Sequence, residues 1–336
     1  MPSSSTTAHA RSHALLLAQK LLNLRDSASP LTLVLDTLEQ SGKPILREFM
    51  NRAAISKSKI IYLSYATLKR PPHASTFIRA RGKSPESLRS EITSHYPSGH
   101  TTKTLLLIDE LNPLAATLPN DITLFLTSLI TSPSISLTTL YHTDIPLSLP
   151  QTTMYTPHPL TVLTHFATAV LRTTNLPHTI TRQRALNRSQ QEPDFGLDEG
   201  KEGVLIGLRS KNELSEGLVL EMELRRRSGR SVAEKFILVP PPITTSPTST
   251  PTKADIAKIY LLSDHPVFQT ADPAAEKEEE PESTFNLGLT EKQRRDREGI
   301  VLPYFDAQTD VGAGEGGRIL YEMGREDDFD DEEDEI

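Results

Sequence analysis

A lysine next to a glycine, in a short polar loop between an apolar strand and a helix, is an arrangement that can hold phosphate. Residues 37–44 read T-L-E-Q-S-G-K-P, after the apolar run 31–35 and before the helical stripe of Ile45, Leu46, Phe49, Met50 and Ala53. The phosphate-binding loop G-x-x-x-x-G-K-[ST] uses backbone N–H groups to cradle the phosphates, its Lys to pair with them and its hydroxyl to ligate Mg²⁺. Gly42 and Lys43 match that pattern. Thr37 takes the place of the first Gly, Glu39 brings negative charge to where phosphate would lie, and Pro44 removes both the hydroxyl and an N–H donor. The loop is a degenerate P-loop, expected to bind no cofactor. A second stretch, K-T-L-L-L-I-D-E-L-N-P at 103–113, reads as a central strand that delivers Asp109 and Glu110 at its carboxyl end, as a Walker B strand does. Two readings follow: a divergent P-loop NTPase that binds nucleotide through Lys43 and Asp109, or a fold that keeps the architecture without the chemistry. In the second, Lys43 faces solvent or a partner and Asp109 caps a turn.

Other chemistry is poorly supported. His95, His100, His142, His158 and His165 show no metal-ligand spacing, and no G-x-S-x-G marks a nucleophile. With no cysteine, disulfides and thiolate metal sites are excluded. Arg79 and Arg81, together with Arg225, Arg226, Arg227 and Arg230 about a hairpin tip, are candidates for RNA phosphate contacts.

The elements that would position these residues follow from periodicity. Residues 31–64 read as a β-loop-α-β unit, with Pro44 opening the helix and parallel pairing expected between its strands. Residues 66–84 are basic and irregular, and 85–96 is a short helix. A helix over 120–130 and a strand over 135–141 repeat the β-α-β pattern, which predicts a doubly wound, mainly parallel sheet. The 3.6 period over 158–173, with Leu160, Leu163, Phe166, Val170 and Leu171 on one side, predicts a helix. Alternation then marks a strand at 203–208 and an antiparallel edge hairpin, 217–225 with 232–239.

Residues 1–28 form an N-terminal amphipathic helix on this reading, with Leu15, Leu17, Leu21, Leu22 and Leu24 inward, rather than a transit peptide. The main domain is 29–239, followed by a Pro/Thr linker at 240–255, a short strand at 256–265 and an acidic linker at 266–282. Residues 283–325 are a partner-binding arm, and 326–336 an acidic tail expected to stay disordered. Of 44 acidic and 36 basic side chains, 22 and 7 lie in residues 272–336, leaving 22 and 29 in the rest: a basic body with an acidic end. No run reaches the roughly 20 apolar residues of a membrane span. In the arm, Phe285, Leu287 and Leu289, then Leu302, Tyr304 and Phe305, then Ile319 and Tyr321 are apolar anchors that a solvated tail would not need.

Several stretches, in this order, resemble the family of the fifth Elongator subunit: S-P-L-T-L-V-L-D-T-L-E-Q-S-G-K-P (29–44), L-L-I-D-E-L-N (106–112), Y-H-T-D-I-P (141–146), S-T-F-N-L-G-L-T-E-K-Q-R-R-D-R (283–297), V-L-P-Y-F (301–305), G-R-I-L-Y (317–321) and the acidic end 327–336. Glu110 departs from that family, where Ser is frequent. The resemblance implies a RecA-like fold without ATPase motifs and a structural, non-catalytic subunit of the cytoplasm and nucleus. It also implies assembly with Elongator subunits four and six into a hetero-hexameric ring, alongside the remaining Elongator subunits. Through that ring it implies contact with tRNA and a part in wobble-uridine modification.

Overall fold

The structure, a computed structural model, describes residues 4–25, 29–97, 102–148, 156–193, 195–198, 204–206, 217–225, 229–241 and 255–269. Residues 1–270 form one compact unit and 271–336 a second; the described residues all belong to the first. The arm anchors from Phe285 to Tyr321, the acidic tail, Arg226 and Arg227 lie outside the described residues.

Helix α1 (Ser4–Leu22) leads into strand β1 (Leu31–Asp36), helix α2 (Lys43–Ile55) and β2 (Lys59–Ser64). Then come β3 (Thr76–Arg79), α3 (Pro85–Ser94), β4 (Thr104–Ile108), α4 (Asn112–Thr117), α5 (Ile122–Leu129) and β5 (Ile135–His142). Helix α6 (Pro159–Phe166), β6 (Ala169–Asn175) and α7 (Leu176–Asn187) follow. The last strands are β7 (Gly196–Asp198), β8 (Val204–Ile206), β9 (Leu218–Arg225), β10 (Ser231–Val239) and β11 (Lys258–Leu261).

Nine strands make one sheet in the order β11-β10-β9-β6-β1-β5-β4-β2-β3. From β6 to β3 every pairing is parallel, and β9, β10 and β11 extend the sheet antiparallel. This is the doubly wound sheet with an antiparallel edge that the sequence predicts. β1 and β4 are buried along their whole length, as strands covered on both faces must be. One face packs Val34, Leu105, Leu107 and Leu140 against α1 and α2; the other packs Leu33, Leu106, Ile108 and Leu137 against α3, α5 and α6.

Four expectations are corrected. β1 and β2 are parallel but not neighbours, because β5 and β4 lie between them, β4 buried at every position and β5 pairing with both β1 and β4. The stripe over 158–173 is not one helix. α6 stops at Phe166 and Ala167 turns extended, so Val170 and Leu171 fall on opposite faces of strand β6. A helical period and a two-residue alternation coincide over so short an apolar run, and pairing with both β1 and β9 decides for the strand. The irregular basic stretch contains β3, a four-residue edge strand. The strand near 203–208 pairs with β7 in a separate two-stranded sheet instead of joining the main one.

The short strand after the Pro/Thr segment belongs to the main core. β11 closes the antiparallel edge, and Ala257 and Leu261 join the α1/α2 cluster. A buried polar knot fixes it there: Glu48 on α2 accepts from Arg52 Nε at 2.5 Å and from the Ala257 N–H at 2.9 Å, while Asn51 Nδ2 donates to the Asp255 carbonyl at 2.9 Å. Glu48 is 2% exposed and Arg52 7%. Losing one member of such a pair strands the other charge. Glu48→Ala is therefore expected to destabilise the chain by about 3 kcal/mol, measured by denaturant unfolding, whereas Arg47→Ala, on the exposed side of α2, should be near neutral.

Candidate functional site

In an open α/β sheet, ligands bind beyond the carboxyl ends of the parallel strands, where connections leave in opposite directions. Here that place is the end of β1 and β5, since α2 covers one face and α6 the other. The degenerate loop lies there, between β1 and α2.

Every donor at the start of α2 is already used or missing. The Gly42 N–H donates to Asp36 Oδ2 at 2.8 Å and the Lys43 N–H to Ser41 Oγ at 3.3 Å. Pro44 has no N–H, and the Ile45 N–H returns to the Gly42 carbonyl at 3.0 Å. Earlier in the loop, the Thr37 N–H donates to the Gln40 carbonyl at 3.3 Å and the Leu38 N–H to Asp144 Oδ2 at 2.7 Å. A helix N-terminus binds anions through free N–H groups and its dipole. At this one the protein's own Asp36 supplies the anion, and the loop backbone is pinned to Asp144 on the opposite loop.

The rest of the loop is equally tied down. The Thr173 hydroxyl lies 3.2 Å from the Leu35 carbonyl and 3.1 Å from that of Gln40. Glu39 Oε2 meets His178 Nδ1 at 3.1 Å, and the buried His178 ring stacks on Phe195 at 3.9 Å. Arg182 lies over the other ring of that stack, 5.5 Å from the Phe195 centroid. Gly42 is required by closeness: a Cβ there would come within 2.6 Å of Leu140 Cδ1 and 3.0 Å of Val34 Cγ1. Lys43 is exposed and makes no ion pair among the described residues.

Asp109 does not face this loop. It is 3% exposed and closes the turn after β2: Oδ1 accepts the Tyr65 N–H at 2.7 Å, and Oδ2 the N–H groups of Ala66 at 3.2 Å and Thr67 at 2.8 Å. The Ser64 hydroxyl stands 2.9 Å from the same oxygen. Burial and the adjacent Asp109 charge push the Tyr65 phenol up to about 12. Lys43 and Asp109 thus stand on different loops, and the Asp109 carboxylate is taken up by the turn after β2. Of the arginines, Arg79, Arg81 and Arg230 are exposed. Arg225 is engaged: its guanidinium donates to the carbonyls of Thr164, His165 and Ala167 at the end of α6 and pairs with Glu223 at 3.0 Å. It serves as a cationic cap on that helix.

The residues that matter most at the loop, Asp36, His142, Asp144 and His178, have no role at it in the sequence reading. Their signal is faint. Asp36 ends an apolar strand as Asp109 does, but of the partners that occupy its carboxylate only Gly42 is near in sequence, and His142 comes from 106 residues away. His142 Nδ1 lies 2.5 Å from Asp36 Oδ1, and its backbone exchanges two 2.8 Å hydrogen bonds with the buried Asn112 side chain. The hydrogen bond to Asp36 raises the His142 pKa, with further support from the charges of Asp36 and Glu110; burial and Lys43 oppose it. A raised imidazole stabilises the fold fully at pH values below its ordinary 6.5 and loses that contribution as pH climbs through the raised value. Thermal unfolding followed from about pH 6 to about pH 8.5 should show the native chain losing stability relative to His142→Gln, which lacks this proton.

The comparisons by sequence agree on one relationship. The family model described as Elongator subunit Iki1 matches residues 17–322. Elongator complex protein 5 of Schizosaccharomyces pombe is 30% identical over 332 residues, 95% of this chain and 98% of that protein. Elongator complex protein 5 of Saccharomyces cerevisiae is 28% identical over 336 residues, 95% of each. Among solved structures, a DnaB-like replicative helicase is similar over 62% of this chain and 56% of that one, at 9% identity and a TM-score of 0.38. Matched across nearly its whole length, the chain is a member of the Elongator subunit Iki1 family.

Proposed function

We propose that this Elongator-family chain is a non-catalytic structural subunit, assembling with subunits four and six into a RecA-like hetero-hexameric ring that serves tRNA wobble-uridine modification. The observation that carries the non-catalytic part is the start of α2, where Asp36, Ser41 and Pro44 leave no backbone N–H for a phosphate. An ATP phosphate entering there would have to displace Asp36 and would meet like charge from Asp36 and Glu39. The arm residues Phe285, Leu287, Leu289, Leu302, Tyr304, Phe305, Ile319 and Tyr321 seat on a neighbouring subunit in this proposal.

The rival, a divergent NTPase using Lys43 and Asp109, makes opposite predictions. On the structural reading the chain shows no saturable Mg²⁺-dependent ATP binding by calorimetry, and Lys43→Ala changes neither stability nor assembly. Asp109→Ala instead lowers stability by about 2–4 kcal/mol, because three backbone N–H groups lose their acceptor. Tight ATP binding abolished by Lys43→Ala would sink the proposal.

RNA enters through exposed cations that contact phosphates without reading sequence. Replacing Arg79 and Arg81 by Gln in the assembled ring should weaken tRNA binding and lower the slope of log affinity against log salt by about one per lost contact. An unchanged affinity and slope would remove these two from the RNA path.

A further inference from the structure

The connection from β2 to β3, residues 65–75, is clamped at both ends yet carries the most exposed large apolar side chain among the described residues. At one end Asp109 holds the N–H groups of Tyr65, Ala66 and Thr67, the Tyr62 hydroxyl lies 3.1 Å from Thr67 Oγ1, and Ser64 Oγ lies 2.5 Å from the Thr67 carbonyl. At the other, the Arg70 guanidinium donates to the Ala74 carbonyl at 2.9 Å and to that of Ser75 at 2.9 Å. Pro71 and Pro72 restrict φ at two further positions. Between the clamps Leu68 stands 83% exposed beside the exposed Lys69.

The course of the chain that presents Leu68 is fixed from beneath by a carboxylate that is itself 3% exposed and holds the three residues before it. We infer that the 65–75 loop is a docking knob for another protein subunit, in which Leu68 enters an apolar socket rimmed by carboxylates. The rim follows from charge: residues 65–89 hold six Lys and Arg against one acid, Glu86, and Arg79 lies at the same sheet edge, in register with Ser64. The loop is ordered before any partner arrives, which lowers the entropic cost of binding. Nucleic-acid phosphates would engage the cations alone and leave Leu68 without a role, whereas an apolar socket with an acidic rim uses both.

The inference rests on the reading of the chain as an assembly subunit. Its test uses the full chain, affinity-tagged and expressed in place of the native copy, with recovery of the other Elongator subunits measured by quantitative mass spectrometry. Leu68→Ser should lower recovery of at least one subunit by about tenfold, Leu68→Met should retain it, and Lys69→Glu should fall between and grow more damaging at low salt. All three should keep the native unfolding midpoint, since Leu68 and Lys69 contribute nothing to the core. Native recovery with Leu68→Ser overturns the knob, as does intact assembly with weakened tRNA binding, which would make the loop an RNA contact. If the native chain recovers other Elongator subunits but not four and six, the ring assignment fails while the knob stands or falls on the Leu68 comparison. A native chain that recovers no Elongator subunit counts against both.

Discussion

The Asp36 carboxylate is the junction on which the candidate site depends. One oxygen accepts the Gly42 N–H that begins α2, the other holds His142 at the end of β5, and its backbone carbonyl accepts both the N–H and the hydroxyl of Thr143. Strand, helix and opposite loop are thereby locked around one buried charge. Where a phosphate would neutralise a helix N-terminus from outside, a side chain two residues beyond Val34 does so from within. The start of the helix is satisfied, and its dipole is matched by a carboxylate of the chain's own.

A second carboxylate does the same kind of work elsewhere. Asp109 organises the turn after β2 and so determines the course of the 65–75 loop. In both cases an acid at a strand end gathers backbone N–H groups that would otherwise be unpaired near the protein interior. The two strands that look most like nucleotide-binding strands have turned their acids to internal structure, in keeping with the substitutions at Thr37, Glu39 and Pro44.

What the sequence revealed and what it hid divide along physical lines. Continuous apolar runs identify β1 and β4, the stripe through Ile45, Leu46, Phe49 and Met50 identifies α2, and the alternation in 217–225 and 232–239 identifies the antiparallel extension. Each of those signals is local. Strand order is not, so β1 was paired with β2 when β5 and β4 stand between them. The Val170-Leu171 pair satisfied a helical stripe and a strand equally, and only its neighbours β1 and β9 resolve it. At the site, the defects of the loop were legible residue by residue, but Asp144 and His178, which hold it shut, could not be found without knowing which distant loops converge there. Arg225 shows the same limit from the other side: a basic tip in sequence is a helix cap in space.

The knot of Glu48, Arg52 and Ala257 changes the standing of the Pro/Thr segment before β11. Val239 pairs with Lys258 and the Asp255 carbonyl is held by Asn51, so the chain leaves and rejoins the same sheet edge. The entropy of closing a loop grows only with the logarithm of its length, about 0.6 kcal/mol for each doubling. Insertions and deletions there are therefore nearly free in energy. A change in the number of residues between the two strands would leave the sheet edge they share in place.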